Sequence, residues 1–279
     1  MDQLDLFEDR ELRYARALRA LDLLDFPTAR KRLDAYLEIY PNDAAAQREL
    51  QLAVALSAHP PTLQAGSEPA LVALRQLEHE LPDRLLPAWH RRMAHAVERL
   101  PAGPHTASVG PAGLHWLLAA ELEQAAQSLR VSLAEAPGDG LARAYLADVL
   151  YRLGHGVAAR NEYLRAFLDA PAAVDLERLA DPDVAVLPLM TTDTYRLVGA
   201  PASWVAAVGV VEGVFTLPPP CLPDVGEPSA PPARSNGARF YRQLLAARDG
   251  RSAAARALAQ QALRRLAPTL ASVHFEQQR

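Results

Sequence analysis

The chain has 279 residues, of which 54 are Ala and 45 are Leu, so about a third of it is two strong helix formers. Its half-apolar content excludes a disordered polyelectrolyte, and its few β-branched and aromatic residues argue against an all-β fold. A net charge of −4 exerts no global pull toward nucleic acid, and 28 Arg against the single Lys31 match the codon bias of a GC-rich genome.

In chain order, residues 1–7 read as an N-terminal tail and 8–41 as a first helix pair, with Phe26, Ala29, Leu33 and Tyr36 ahead of Pro41. The opening helix of that pair carries Arg13 and Arg16 where an apolar face is expected, unless the register slips by one. Residues 42–105 are more divergent and carry amphipathic stretches at Ala44–Ala58, Pro69–Glu80 and Asp83–Leu100. Asp83 is placed to cap the third stretch, or Pro87 to sit in its first turn.

Residues 106–171 carry the clearest pattern, since Pro137 and Pro171 are 34 residues apart. Twelve residues before each proline stands an alanine, Ala125 or Ala159, and eight before each a large side chain, Leu129 or Tyr163. Five before each stands a small residue, Ser132 or Ala166, and Gly113 and Trp116 give way one period later to Ala147 and Leu150. Two antiparallel helices need a small residue where their axes come closest and a large one beside it to fill the groove. Proline then ends the second helix, because it lacks the N–H for an intrahelical bond.

Residues 172–216 are less regular and apolar enough to be buried, and the run Trp204–Leu217 is too short to span a membrane and carries Glu212. Residues 217–238 hold seven prolines and read as a polyproline-type loop. The chain closes with a basic helical hairpin over 239–279, built from Ala238–Arg248 and Arg251–Ala267 and turned at Asp249-Gly250. Its eight Arg against Asp249 and Glu276 scatter around the helices, which suits a solvated cap and disfavours direct nucleic-acid binding.

The small, large, small and proline landmarks at a 34-residue period resemble the tetratricopeptide-repeat family, over residues 8–41 and 106–171. The resemblance implies an all-α fold, a right-handed superhelix of antiparallel helix pairs whose first helices line a concave face. Carried onto the repeat ending at Pro171, the inward positions are Ala144, Asp148, Tyr151 and Arg152, and the helix after Pro41 offers Arg48. An Arg–Asp–Tyr groove of that kind can grip an extended peptide or its carboxylate. The implied function is a non-catalytic scaffold or adaptor binding a partner protein. The lysine/asparagine pattern of chaperone-tail clamps is absent.

No reaction chemistry is legible. The eight histidines show no ligand spacing, and His90 and His95 point to different sides of one helix. Cys221 stands alone, which excludes an internal disulfide and a thiolate zinc site. No nucleophile elbow or phosphate loop occurs, and Gly154-His155-Gly156 reads as a turn between helices. The reading is therefore a non-enzyme with no metal and no cofactor.

One short motif points elsewhere: Gln3-Leu4-Asp5-Leu6-Phe7 is similar to the pentapeptide by which bacterial replication and repair proteins hold the DNA sliding clamp. The alternative function is thus a replication- or repair-associated protein tethered there, with Leu6 and Phe7 as apolar anchors. Met1–Arg10 has no signal-peptide character and no run reaches a membrane span, so a cytoplasmic location is the expectation.

Overall fold

The computed structural model describes residues 3–57, 75, 78–99, 110–217, 235–250 and 252–277, with side chains at those positions except 3–8 and 80. The fold is all-α, and no strand occurs among the described residues. The chain divides into two compact units, Met1–Glu121 and Leu122–Arg279.

The first unit contains α1 (Gln3–Asp22), α2 (Phe26–Ile39), α3 (Ala44–Ser57), α4 (Leu86–Glu98) and α5 (Ala112–Leu118). Helix α2 starts where the Asp25 carboxylate accepts the Thr28 N–H at 3.2 Å, with Pro27 in its first turn. It buries Phe26, Ala29, Leu33 and Tyr36 against Ala17 and Leu21 of α1 and Ala46 and Ala53 of α3. Trp89 and Met93 of α4 belong to the same core. Each large side chain removed from water here is worth about 1.5–3 kcal/mol.

The second unit contains α6 (Leu122–Glu135), α7 (Gly140–Arg152), α8 (Gly156–Asp169), α9 (Pro182–Ala185), α10 (Leu187–Asp193), α11 (Val205–Val211), α12 (Asn236–Asp249), α13 (Ala253–Leu266) and α14 (Pro268–Gln277). Its core centres on α11, a seven-residue helix with nearly every side chain buried, which packs on α8, α10, α12 and α14. Gly209 is required there, because a Cβ would stand 2.3 Å from the Phe215 ring. Trp204–Val208, Val211 and Phe215 of the apolar run are thus core, and no described helix is long and apolar enough to cross a membrane.

The 34-residue period reappears in the backbone. Leu24, Ala120 and Gly154, each seventeen residues before a landmark proline, have φ of 55°, 61° and 83°. In each turn the next N–H reaches five residues back: Asp25 to Ala20 at 2.9 Å, Glu121 to Trp116 at 3.0 Å and His155 to Leu150 at 2.8 Å. This is the left-handed helix terminus closed by a 6→1 bond. The helices that follow, α2, α6 and α8, are all 14 residues long and stop two residues before Pro41, Pro137 and Pro171. The small and large landmarks Ala29, Leu33, Ala125, Leu129, Ala159 and Tyr163 are fully buried.

Several elements depart from the sequence reading. Helix α1 begins at Gln3, so residues 3–7 are helical backbone continuous with the first hairpin and not an extended tail. The division between units falls between α5 and α6, inside the stretch 106–137 that reads as a single repeat. Asp83 opens a 3-10 turn, Asp83–Leu85, and caps nothing; the helix starts at Leu86 with Pro87 in its first turn. Most of Pro69–Glu80 and of the proline-rich 217–238 lies outside the described residues. The last hairpin is followed by a third helix, Pro268–Gln277, begun by a proline in the one position where its missing N–H costs nothing.

The three turns give a paired prediction. Ala120 is an exposed non-glycine residue at positive φ, so Ala120→Gly raises stability by about 1 kcal/mol, whereas Gly154→Ala lowers it by about the same. Urea-unfolding midpoints of the two variants measure the pair, and a destabilised Ala120→Gly or a stabilised Gly154→Ala contradicts the turn assignment.

Candidate functional site

The proposed groove residues are dispersed. Arg48 is exposed on α3 in the first unit, while Ala144, Asp148, Tyr151 and Arg152 lie on α7 in the second. Arg152 is exposed and Tyr151 half-buried, but Ala144 and Asp148 are only 3% exposed. Asp148 therefore offers no surface to a partner, which corrects its assignment as a groove residue. The reason is the chain's own segment after α8. The Ala180 N–H donates to Asp148 Oδ1 at 2.9 Å, and the Tyr163 hydroxyl on α8 donates to the same oxygen.

The neighbouring carboxylate completes the anchor. Asp181 is fully buried, accepts from Arg160 Nε at 2.8 Å and receives the Asp183 N–H at 3.0 Å, which starts α9. Removing one partner from a buried pair of this kind leaves an uncompensated charge, so Arg160 and Asp181 together hold the segment on the α7–α8 hairpin. Burial pushes the Asp148 carboxyl up to about 6, against the opposing pull of Tyr163 and the Ala180 N–H. Burial likewise pushes the Tyr163 hydroxyl up, reinforced by the Asp148 charge.

A second buried polar contact lies in the first unit, where α4 meets α5. His90 and His115 are both buried, with Nδ1 atoms 3.2 Å apart and ring centroids 5.5 Å apart. One ring must donate and the other accept, so opposite protonation states at Nδ1 suit the contact. His90 Nε2 is also 3.8 Å from a Glu78 carboxylate oxygen. Sequence spacing missed this pair because its members sit 25 residues apart on different helices. Among the described residues no group of three or more His, Cys, Asp or Glu is arranged to hold a metal ion.

The open polar site is a cleft between α1 and α2 of about 350 Å³, lined by Arg13, Arg16, Arg32, Ala35 and Tyr36. Two nearby arginines are committed. Arg10 donates to the Tyr36 hydroxyl at 3.0 Å and to Asp43 at 3.1 Å, and Arg13 pairs with Asp9 at 2.7 Å. The Tyr36 hydroxyl, the Ala46 N–H and Arg10 hold the Asp43 carboxyl down to about 2. Arg32 donates to the Arg16 carbonyl at 2.8 Å, and neither Arg16 nor Arg32 pairs with a carboxylate among the described residues. A larger depression on the other side of α2 is self-neutralising, since Arg30 and Lys31 stand there with Asp34 and Glu38.

Arg13 and Arg16, out of place in the apolar pattern, are thus explained by exposure: they face this cleft and not the core. The peptide Gln3-Leu4-Asp5-Leu6-Phe7 lies in the first turns of the same α1 helix. Comparison of the chain with protein-family models, curated proteins and solved structures finds no match.

The buried carboxylate makes stability pH-dependent in a defined direction. Because the folded state raises the Asp148 pKa, it binds the proton more tightly than the unfolded state does. Its contribution is therefore full below about pH 4 and is lost as pH rises through about 6. Asp148→Asn keeps an oxygen for Tyr163 and Ala180 but removes the titration. The stability difference between variant and wild type shifts toward the variant by about 2–3 kcal/mol from pH 4 to pH 7. Urea titrations of both proteins at the two pH values measure the shift, and a pH-independent difference contradicts it.

Proposed function

We propose that this chain is a non-catalytic scaffold of the tetratricopeptide-repeat kind, which binds a segment of a partner protein against its helix pairs. The observation that carries the reading is the recurrence of one turn, at Leu24, Ala120 and Gly154, in register with prolines 34 residues apart. Paired helices built on such a period expose long, shallow faces whose polar residues are free to vary, which suits recognition of extended segments. The exposed polar cleft between α1 and α2 supports the same reading, whereas Asp148 on α7 is covered by Ala180 of the chain itself.

The test is direct binding. Immobilised full-length chain, challenged with lysate of its own organism, retains a protein that then binds the purified chain in a defined stoichiometry by isothermal calorimetry. No retained protein that rebinds in purified form, or turnover of a small molecule by the chain alone, overturns the scaffold reading.

A further inference from the structure

Three arginines face one another across the α1–α2 cleft, and the charge there is not cancelled. Arg10 and Arg13 spend their charge on Asp43 and Asp9, while Arg16 and Arg32 meet no carboxylate among the described residues. Two guanidinium groups therefore border a space of about 350 Å³ with no counter-charge among the described residues. We infer that this cleft docks an acidic peptide segment of a partner protein, its side-chain carboxylates paired with Arg16 and Arg32. The inference rests on the scaffold reading and supplies the chemistry of the partner.

The geometry favours a linear occupant. Arg13 and Arg16 stand three residues apart on α1, about 4.5 Å along its axis. Arg32 rises from α2 opposite, pinned by its bond to the Arg16 carbonyl. An extended peptide advances about 3.3 Å per residue and turns successive side chains to opposite sides, so its carboxylates can meet Arg16 on one wall and Arg32 on the other. A free phosphate is held best by donors converging in a closed pocket, whereas this cleft is open and its uncommitted cations stand on two separate helices. Guanidinium groups suit carboxylates because they offer two parallel N–H donors.

The surrounding rings argue against a nucleic-acid strand. Tyr36 packs on Tyr14 and Tyr40 with centroids 5.3 and 4.9 Å apart, and Arg10 covers the Tyr40 ring at 5.2 Å. The cleft's own tyrosine, Tyr36, is buried and its hydroxyl is bonded to Asp43, so it presents no face on which a base can stack.

Fluorescence anisotropy with the full-length chain and a fluorescein-labelled octaglutamate peptide tests the inference. Arg16→Glu and Arg32→Glu each weaken binding by about tenfold or more, and raising the salt abolishes it. Arg239→Glu, at an exposed position on α12, leaves it unchanged. Circular dichroism verifies that each variant keeps its helices, with Arg16→Gln and Arg32→Gln as milder substitutions. Inorganic phosphate competes weakly, and a single-stranded oligothymidylate competes no better than unlabelled octaglutamate.

Absence of octaglutamate binding, or binding insensitive to both cleft variants, overturns the inference. So does an oligothymidylate that outcompetes the peptide. The scaffold reading fails separately: a captured partner that binds wild type and the Arg16→Glu chain equally removes the cleft from the interface and leaves the scaffold standing. The absence of any partner removes the scaffold itself.

Discussion

A pair of short amphipathic helices buries its apolar faces against each other most compactly where the chain reverses direction within a few residues. In this protein the reversal is made by a single residue at positive φ, sealed by an N–H that reaches five residues back. Leu24, Ala120 and Gly154 perform it, and the helix after each runs for 14 residues. That two of the three are not glycine shows how strongly the surroundings hold the turn, because a side chain there costs about 1–2 kcal/mol. Leu24 offsets the strain by burying its side chain, whereas exposed Ala120 carries only a methyl group.

With the turns in place, the abundance of Ala and Leu becomes intelligible. Ala29, Ala125 and Ala159 are fully buried at the small positions of the pattern, and Leu33, Leu129 and Tyr163 are fully buried at its large ones. The second unit adds a different solution. There α11, with Val205, Ala206, Ala207 and Val208 at its centre, serves as a buried post against which α8, α10, α12 and α14 are laid. A helix apolar on all sides has no other stable place in water.

Polar groups divide by whether the chain covers them. Asp148 and Asp181 are buried and answered by Tyr163, Ala180 and Arg160, so they serve the architecture. His90 and His115 answer each other between α4 and α5. Arg16 and Arg32 are left in the open with like charge across a cleft, an arrangement that adds little to stability and is suited to meeting an anion. The same residue types thus do opposite work according to what folds over them.

What the sequence alone determined were features governed by neighbours a few residues apart: the helix pairs, their period, the small and large landmarks, and the turn at Gly154, which its glycine announces. The turns at Leu24 and Ala120 carry no such signal in their own residues, and the structure alone showed them, in register with Pro41 and Pro137. Tertiary structure decided the rest. Asp148 sits on α7 at a position the family resemblance assigns to a partner-facing side, yet Ala180, 32 residues further on, closes over it. Arg13 and Arg16 break the apolar pattern, yet nothing among the described residues covers them and they stay at the cleft. Local periodicity fixes which way a side chain leaves its helix; only the path of distant chain settles whether it meets protein or water.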